Sequence, residues 1–106
     1  MKPDSPTIAE LVQRIVAVAN PVRIILFGSA AREEMTPDSD LDVLVVVPEG
    51  QHRRRTAGKI YMNLIGFGTP VDVVVATEDD LQRYGDNFSL VYYPVLREGK
   101  EVYAAS

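Results

Sequence analysis

Residues Val22 to Val47 read VRIILFGSAAREEMTPDSDLDVLVVV: an apolar run ending in Gly28-Ser29, ten intervening residues, then Asp40-Leu41-Asp42 opening a second apolar run. In a strand, residues i and i+2 project to one face roughly 6.5–7 Å apart, so Asp40 and Asp42 point the same way. Two carboxylates on one face repel unless a cation sits between them or one is protonated. Hard divalent cations such as Mg²⁺ prefer oxygen ligands of this kind, and a metal site is the simplest resolution. Gly28 lets the backbone turn and approach a ligand closely, while Ser29 offers a hydroxyl and an N–H at the start of a helical turn, where phosphate binds well. One half of the stretch suits phosphate and the other a metal.

Outward from this stretch, Thr7 to Ala19 places Ile8, Leu11, Val12, Ile15 and Val16 at helical spacing, with Ser5 or Thr7 to cap and Pro21 to end the helix. Val22 to Phe27 form a first strand, and Thr36-Pro37-Asp38-Ser39 is a loop by composition. On the second strand Asp40, Asp42, Leu44 and Val46 share one face, and Leu41, Val43, Val45 and Val47 the other. Both faces turn apolar after Asp42, so the strand enters a covered sheet with its carboxylates at the entrance. Gln51 to Ile65 reads as a helix with Ile60, Tyr61, Leu64 and Ile65 inward, and Gly66 to Pro70 as a turn.

The third strand, Val71 to Ala76, repeats the pattern, with Asp72 and Val74 on one face and Val71, Val73 and Val75 on the other. Neighbouring second and third strands would bring all three aspartates together. Thr77 and Asp80 have the spacing of a capping box that begins a short helix. A last helix from Asn87 to about Gly99 contains Pro94, which kinks it, and Glu101 to Ala104 add an edge strand. The elements predict one α/β (α+β) domain over residues 1–106, a small mixed sheet of three or four strands flanked by helices.

At 106 residues the chain is large enough for a core but small for an enzyme that must also bind two substrates, so a partner subunit is expected, as hetero-oligomer or homodimer. Apolar runs are far below the roughly 20 residues of a membrane span. The start, Met1-Lys2-Pro3-Asp4, lacks a signal peptide's apolar core, which predicts a cytoplasmic protein. The absence of cysteine excludes disulfides and thiolate metal sites. A net charge of −4 argues against an extended nucleic-acid surface. The exception is His52-Arg53-Arg54-Arg55, which suits a solvated helix face or contact with phosphates or an acidic protein; His52 reads as an ordinary exposed histidine.

Taken singly, Gly28-Ser29 is a common strand-to-helix turn, Asp40 a loop cap, and Asp72 an edge-strand charge that discourages aggregation. Their combination is far more specific. A haloacid-dehalogenase-type phosphatase also uses Asp-x-Asp, but there the aspartates follow the apolar strand; here they precede it. A Walker-type site needs Gly-x-x-x-x-Gly-Lys-Ser/Thr, and Gly58-Lys59 has neither the first glycine nor the hydroxyl residue. The loop also lacks the Gly and Glu of an EF-hand.

Gly28-Ser29 with Asp40-Leu41-Asp42 ten residues on resembles the signature of the nucleotidyltransferase superfamily of the DNA polymerase beta type. The short length and Ser39-Asp40-Leu41-Asp42 most resemble the minimal nucleotidyltransferases, antitoxins of HEPN/MNT toxin-antitoxin pairs. The likeness runs from about Ile24 to Val75, and Asp72 falls where the superfamily's third carboxylate is expected. Many relatives continue Ala-Arg-Gly; this chain keeps Arg32 and has Glu33 in place of the glycine. The resemblance implies two Mg²⁺ ions on Asp40, Asp42 and Asp72, and ATP held at Gly28, Ser29, Arg32 and Ser39. Asp72 helps deprotonate an acceptor hydroxyl, and AMP passes to a tyrosine of a HEPN toxin partner. Two other readings stand beside it: a non-catalytic antitoxin that neutralises its partner by binding, and nucleotidyl transfer to a small molecule.

Overall fold

The computed structural model describes residues 5–28, 40–84 and 99–105. In chain order these form α1 (Ser5–Ala19), β1 (Arg23–Phe27), β2 (Leu41–Val47), α2 (Arg53–Met62), β3 (Val71–Thr77), α3 (Glu78–Tyr84) and β4 (Lys100–Ala104). The strands make one mixed sheet in the order β3-β2-β1-β4. β2 runs parallel to β3, and β1 antiparallel to both β2 and β4. The predicted last helix over Asn87 to Gly99 lies outside the described residues except at Gly99.

The alternation read from β2 sorts the core into two layers. Leu41, Val43, Val45 and Val47 are buried with Leu11 and Ile15 of α1, Ile24 and Leu26 of β1 and Ile60 of α2. Leu44 and Val46 on the other face are buried with Ile25, Ala76 and Leu81, with Val22, Phe27 and Val74 packed against them. Each such aliphatic side chain contributes roughly 1.5–3 kcal/mol on burial, and β2 carries buried side chains on both faces. α1 ends as its sequence predicts: Asn20 takes a left-handed φ of 47°, a conformation asparagine tolerates, ahead of Pro21. The Gln51 amide donates to the carbonyl of Ala19 at 3.1 Å, satisfying a helix-end acceptor from across the chain.

The α2 region departs from its predicted bounds. Gln51 stays outside the helix, accepting from the Thr56 hydroxyl at 3.1 Å, while His52 caps the helix by accepting the Arg55 N–H on Nδ1 at 3.2 Å. Ile60 is buried and Leu64 packs on the same core, but Tyr61 is 45% exposed and Ile65 73%, against the inward placement expected of them. The helix stops at Met62, and the chain turns through Leu64 N–H to Tyr61 O and Phe67 N–H to Leu64 O. Beyond Met62 helical spacing therefore no longer governs which side a residue faces. The Tyr61 hydroxyl accepts the Val73 N–H at 2.9 Å, which caps a backbone donor on the sheet edge.

Arg14 fastens this turn to α1. Its Nη1 donates to the carbonyls of Ile65 (3.0 Å) and Asn63 (3.3 Å), its guanidinium lies 5.5 Å from the Phe67 ring centre, and the Asn63 amide returns a bond to Arg14 O at 2.8 Å. At the other end of the sheet Thr77 and Asp80 form the predicted capping box. Asp80 N–H donates to Thr77 Oγ1 at 3.1 Å, and Thr77 N–H to Asp80 Oδ2 at 3.0 Å. Among the described residues no helix is long and apolar enough to cross a membrane.

Because Arg14 donates to two carbonyls that the turn itself leaves unpaired, Arg14→Ala should destabilise the fold by about 1–2 kcal/mol. Urea unfolding should show a lower midpoint with an unchanged slope; an unchanged midpoint would show that the turn holds without the latch.

Candidate carboxylate site

The parallel register of β2 and β3 sets Asp42 directly beside Asp72, as Cα partners. The antiparallel register of β1 places Phe27, the last residue of that strand, opposite Asp42 from the other side. Thus Asp42 sits on the central strand between an aromatic residue and a second carboxylate. By alternation its face is that of Leu44, Val46, Val74 and Ala76, away from the layer packed under α1 and α2. Apolar packing fills this face up to Leu44, and the carboxylates begin where it stops. Asp42 is half-buried and Asp72 exposed.

Gly28 follows β1 directly with φ +69°, in the left-handed region that side chains disfavour. A Cβ built there would fall on Asp42 Oδ2 and lie 3.2 Å from Asp42 Cγ. Sequence reasoning expected this glycine to admit a ligand to the backbone. The structure assigns it a second duty: the first group that needs the space is the Asp42 carboxylate itself. Both the backbone conformation and the contact require glycine.

Asp40 lies one residue ahead of β2 and is exposed. Its backbone neighbour Leu41 is held by a bond from its N–H to Pro70 O at 2.9 Å, which ties the entrance of β2 to the entrance of β3. The aspartates thus come from adjoining segments at one end of the sheet. Among the described residues, no three histidine or carboxylate side chains stand close enough together to form a ready-made metal cage. The chemistry of the donors nevertheless suits a hard cation: carboxylate oxygens at one end of the sheet, with a glycine leaving room beside one of them. Ser29, Arg32 and Ser39, the other residues predicted to contact nucleotide, lie outside the described residues.

Sequence reasoning did not identify Phe27 as a neighbour of Asp42, because only strand pairing brings the two together. A cavity among the described residues lies elsewhere. It is a space of about 710 Å³ lined by Gly50, Gln51, His52, Arg53 and Arg54, which follow the far end of β2. At roughly 3.3 Å per strand residue, this is most of the sheet's length from Asp42, so the cavity and the carboxylates are separate features.

Comparison with known proteins places the fold. A search of curated proteins finds no match. Among solved structures, a protein from Sulfolobus solfataricus described as a nucleotidyltransferase superposes with a TM-score of 0.64 at 18% identity, over 93% of this chain and 78% of its own. A toxin-antitoxin structure with AMP-PNP gives 0.61 at 20% identity, over 98% and 76%. A mutant form of the toxin-antitoxin pair MntA-HpeT gives 0.60 at 18%, over 98% and 75%. These likenesses establish a shared fold. Residues 6–96 match the family model of the nucleotidyltransferase domain, a span that includes β1, Gly28 and all three aspartates. The chain belongs to the nucleotidyltransferase domain family.

Proposed function

We propose that this protein is a Mg²⁺-dependent nucleotidyltransferase that moves AMP from ATP to a tyrosine hydroxyl of a HEPN-type toxin, and so acts as its antitoxin. The observation that carries the reading is the register that sets Asp42 against Asp72, with the Gly28 backbone laid on the Asp42 carboxylate. Family membership supports transferase chemistry. The toxin-antitoxin folds that superpose on this chain support the partner, and the one solved with AMP-PNP supports an adenine nucleotide as donor.

On this reading Asp40, Asp42 and Asp72 hold the metal and the Gly28-Ser29 turn meets the triphosphate. Bound there, divalent metal supplies positive charge to the entering and leaving oxygens of an in-line displacement. Asp72 is exposed on the edge strand β3, which leaves it open to an acceptor whose hydroxyl proton it would help to remove. The acceptor oxygen bonds to the α-phosphorus of ATP, the bond from that phosphorus to the bridging oxygen breaks, and pyrophosphate leaves. Phe27 is the strand partner of Asp42 and packs on the apolar layer next to it.

Asp42→Asn combined with Asp72→Asn keeps shape and removes charge. It should lower transfer of labelled AMP by at least about 100-fold. The fold without metal should be retained, since the neutral amides fill the same space as the carboxylates. Ligand-linked stabilisation should identify the cause: Mg²⁺ with a non-hydrolysable ATP analogue raises the melting temperature of the unaltered protein and leaves the variant unmoved. Full transfer activity in the variant would reject the site. If neutralisation of the toxin survives while transfer is lost, the protein acts by binding instead.

Gly28→Ala tests the close approach. The added methyl meets the Asp42 carboxylate in a backbone conformation that alanine resists, so we expect a stability loss of more than about 1 kcal/mol and a fall in transfer. An alanine variant with unaltered activity would show that Gly28 does not shape the site.

A further inference from the structure

We infer that the outward face of α2, centred on Gly58, docks an acidic, amphipathic helix of another protein. One side of α2 packs inward through Thr56 and Ile60. At 100° per residue, Arg54, Arg55, Gly58, Tyr61 and Met62 fall on the other side, and all five are exposed. By strand alternation α2 covers the face of β2 opposite Asp42, so this surface is separate from the carboxylate site.

Three features of this face lack an explanation within the chain. Glycine is the poorest helix former after proline, yet Gly58 sits mid-helix where a Cβ would meet nothing within 4 Å. No internal contact asks for glycine there; a surface that must let another backbone come close does. Second, Arg53, Arg54 and Arg55 fill the first turn, which has no acidic residue, although cations at a helix N-terminus oppose its dipole. Arg53 pairs with Asp80 at 2.9 Å, but among the described residues Arg54, Arg55 and Lys59 make no ion pair. Third, Met62 (70%) and Ile65 (73%) are large apolar side chains left exposed at the C-terminal end of this segment, next to Tyr61, which is half-exposed but held by its bond from the Val73 N–H. Met62 is fixed by the helix, and Arg14 holds the turn that carries Ile65.

The occupant follows from these features. Cations at one end, apolar side chains at the other and a glycine between them match a helix whose apolar stripe is flanked by carboxylates. A second copy of this chain does not match: α2 carries four cations and no acid, so two copies face to face would gather positive charge without compensation. Nucleic acid would engage the arginines but leave Met62 and Ile65 in water, and the chain carries a net charge of −4.

The test uses the full chain and a synthetic amphipathic peptide of about 18 residues, long enough to hold a helix, with a leucine stripe flanked by glutamates. A control peptide replaces the glutamates by lysines. Titration at physiological salt, followed by amide chemical shifts, should show the glutamate peptide binding with changes confined to Arg54 through Ile65, and the lysine peptide failing to bind. Gly58→Leu should weaken binding about 10-fold or more at unchanged fold. Gly58→Ala should melt higher than the original while binding less tightly. Equal affinity for the two peptides, shifts centred on the carboxylates, or full binding by Gly58→Leu would overturn the inference. So would a dimer that Gly58→Leu dissociates, or a single-stranded RNA oligonucleotide that competes for Arg54 and Arg55. AMP transfer assays do not enter, so this result and that of the carboxylate site stand independently.

Discussion

Burial of β2 on both faces is the constraint from which the rest of this molecule follows. A strand with apolar side chains above and below must be sandwiched, so α1 and α2 cover one side and Leu81 of α3 packs on the other. It must also be paired along both edges, which β1 and β3 supply. Such a strand admits a charged side chain only at its end. Asp42 stands there, one residue inside the first residue of β2, where the second apolar layer has not yet closed over it. The position of the carboxylates is thus a consequence of the packing, and a one-residue slip of register would turn Asp42 toward the buried layer beneath the helices.

The parallel pairing of β2 with β3 adds the second carboxylate. Parallel strands need a crossover, here α2, and both strands then begin at the same end of the sheet. Because Asp-x-Asp opens β2 and Val-Asp-Val opens β3, the crossover aligns Asp42 with Asp72 without any contact between their side chains having to direct it. The antiparallel β1 runs the other way and so finishes at this end, delivering Phe27 and Gly28. Three strand ends converge because two strands begin where the third stops.

Much of this was legible in the sequence, and the reason is periodicity. Alternation in Asp40 to Val47 and Val71 to Val75 named both faces of β2 and β3, and the Thr77-Asp80 spacing named a cap that forms as read. Strand pairing carries no local signal, so the order β3-β2-β1-β4 and the place of Phe27 beside Asp42 became visible only in three dimensions. The end of α2 was misread because helical spacing was extended through Ile65, whereas Asn63 closes the helix and Arg14, 49 residues away, fixes the turn. A contact so distant in sequence leaves no mark in a window of a dozen residues. The role of Gly28 was half legible: a turn glycine was evident, but its contact with Asp42 depends on the pairing of β1 with β2.

The inward and outward sides of α2 are under different demands, so local rules fail on part of that helix and hold on its neighbours. α1 buries a regular apolar stripe, and α3 places three acids in its first turn, in agreement with its dipole. α2 obeys such rules only where it packs, at Thr56 and Ile60. Its outward side combines a glycine with no steric need, cations against the dipole and exposed apolar residues held by a long-range latch. A sequence that is locally consistent across most of a fold and inconsistent on one exposed face has been shaped there by something other than its own stability. Since the carboxylates occupy the opposite face of β2, that pressure cannot come from their chemistry. The helix dock inferred for this face would supply it.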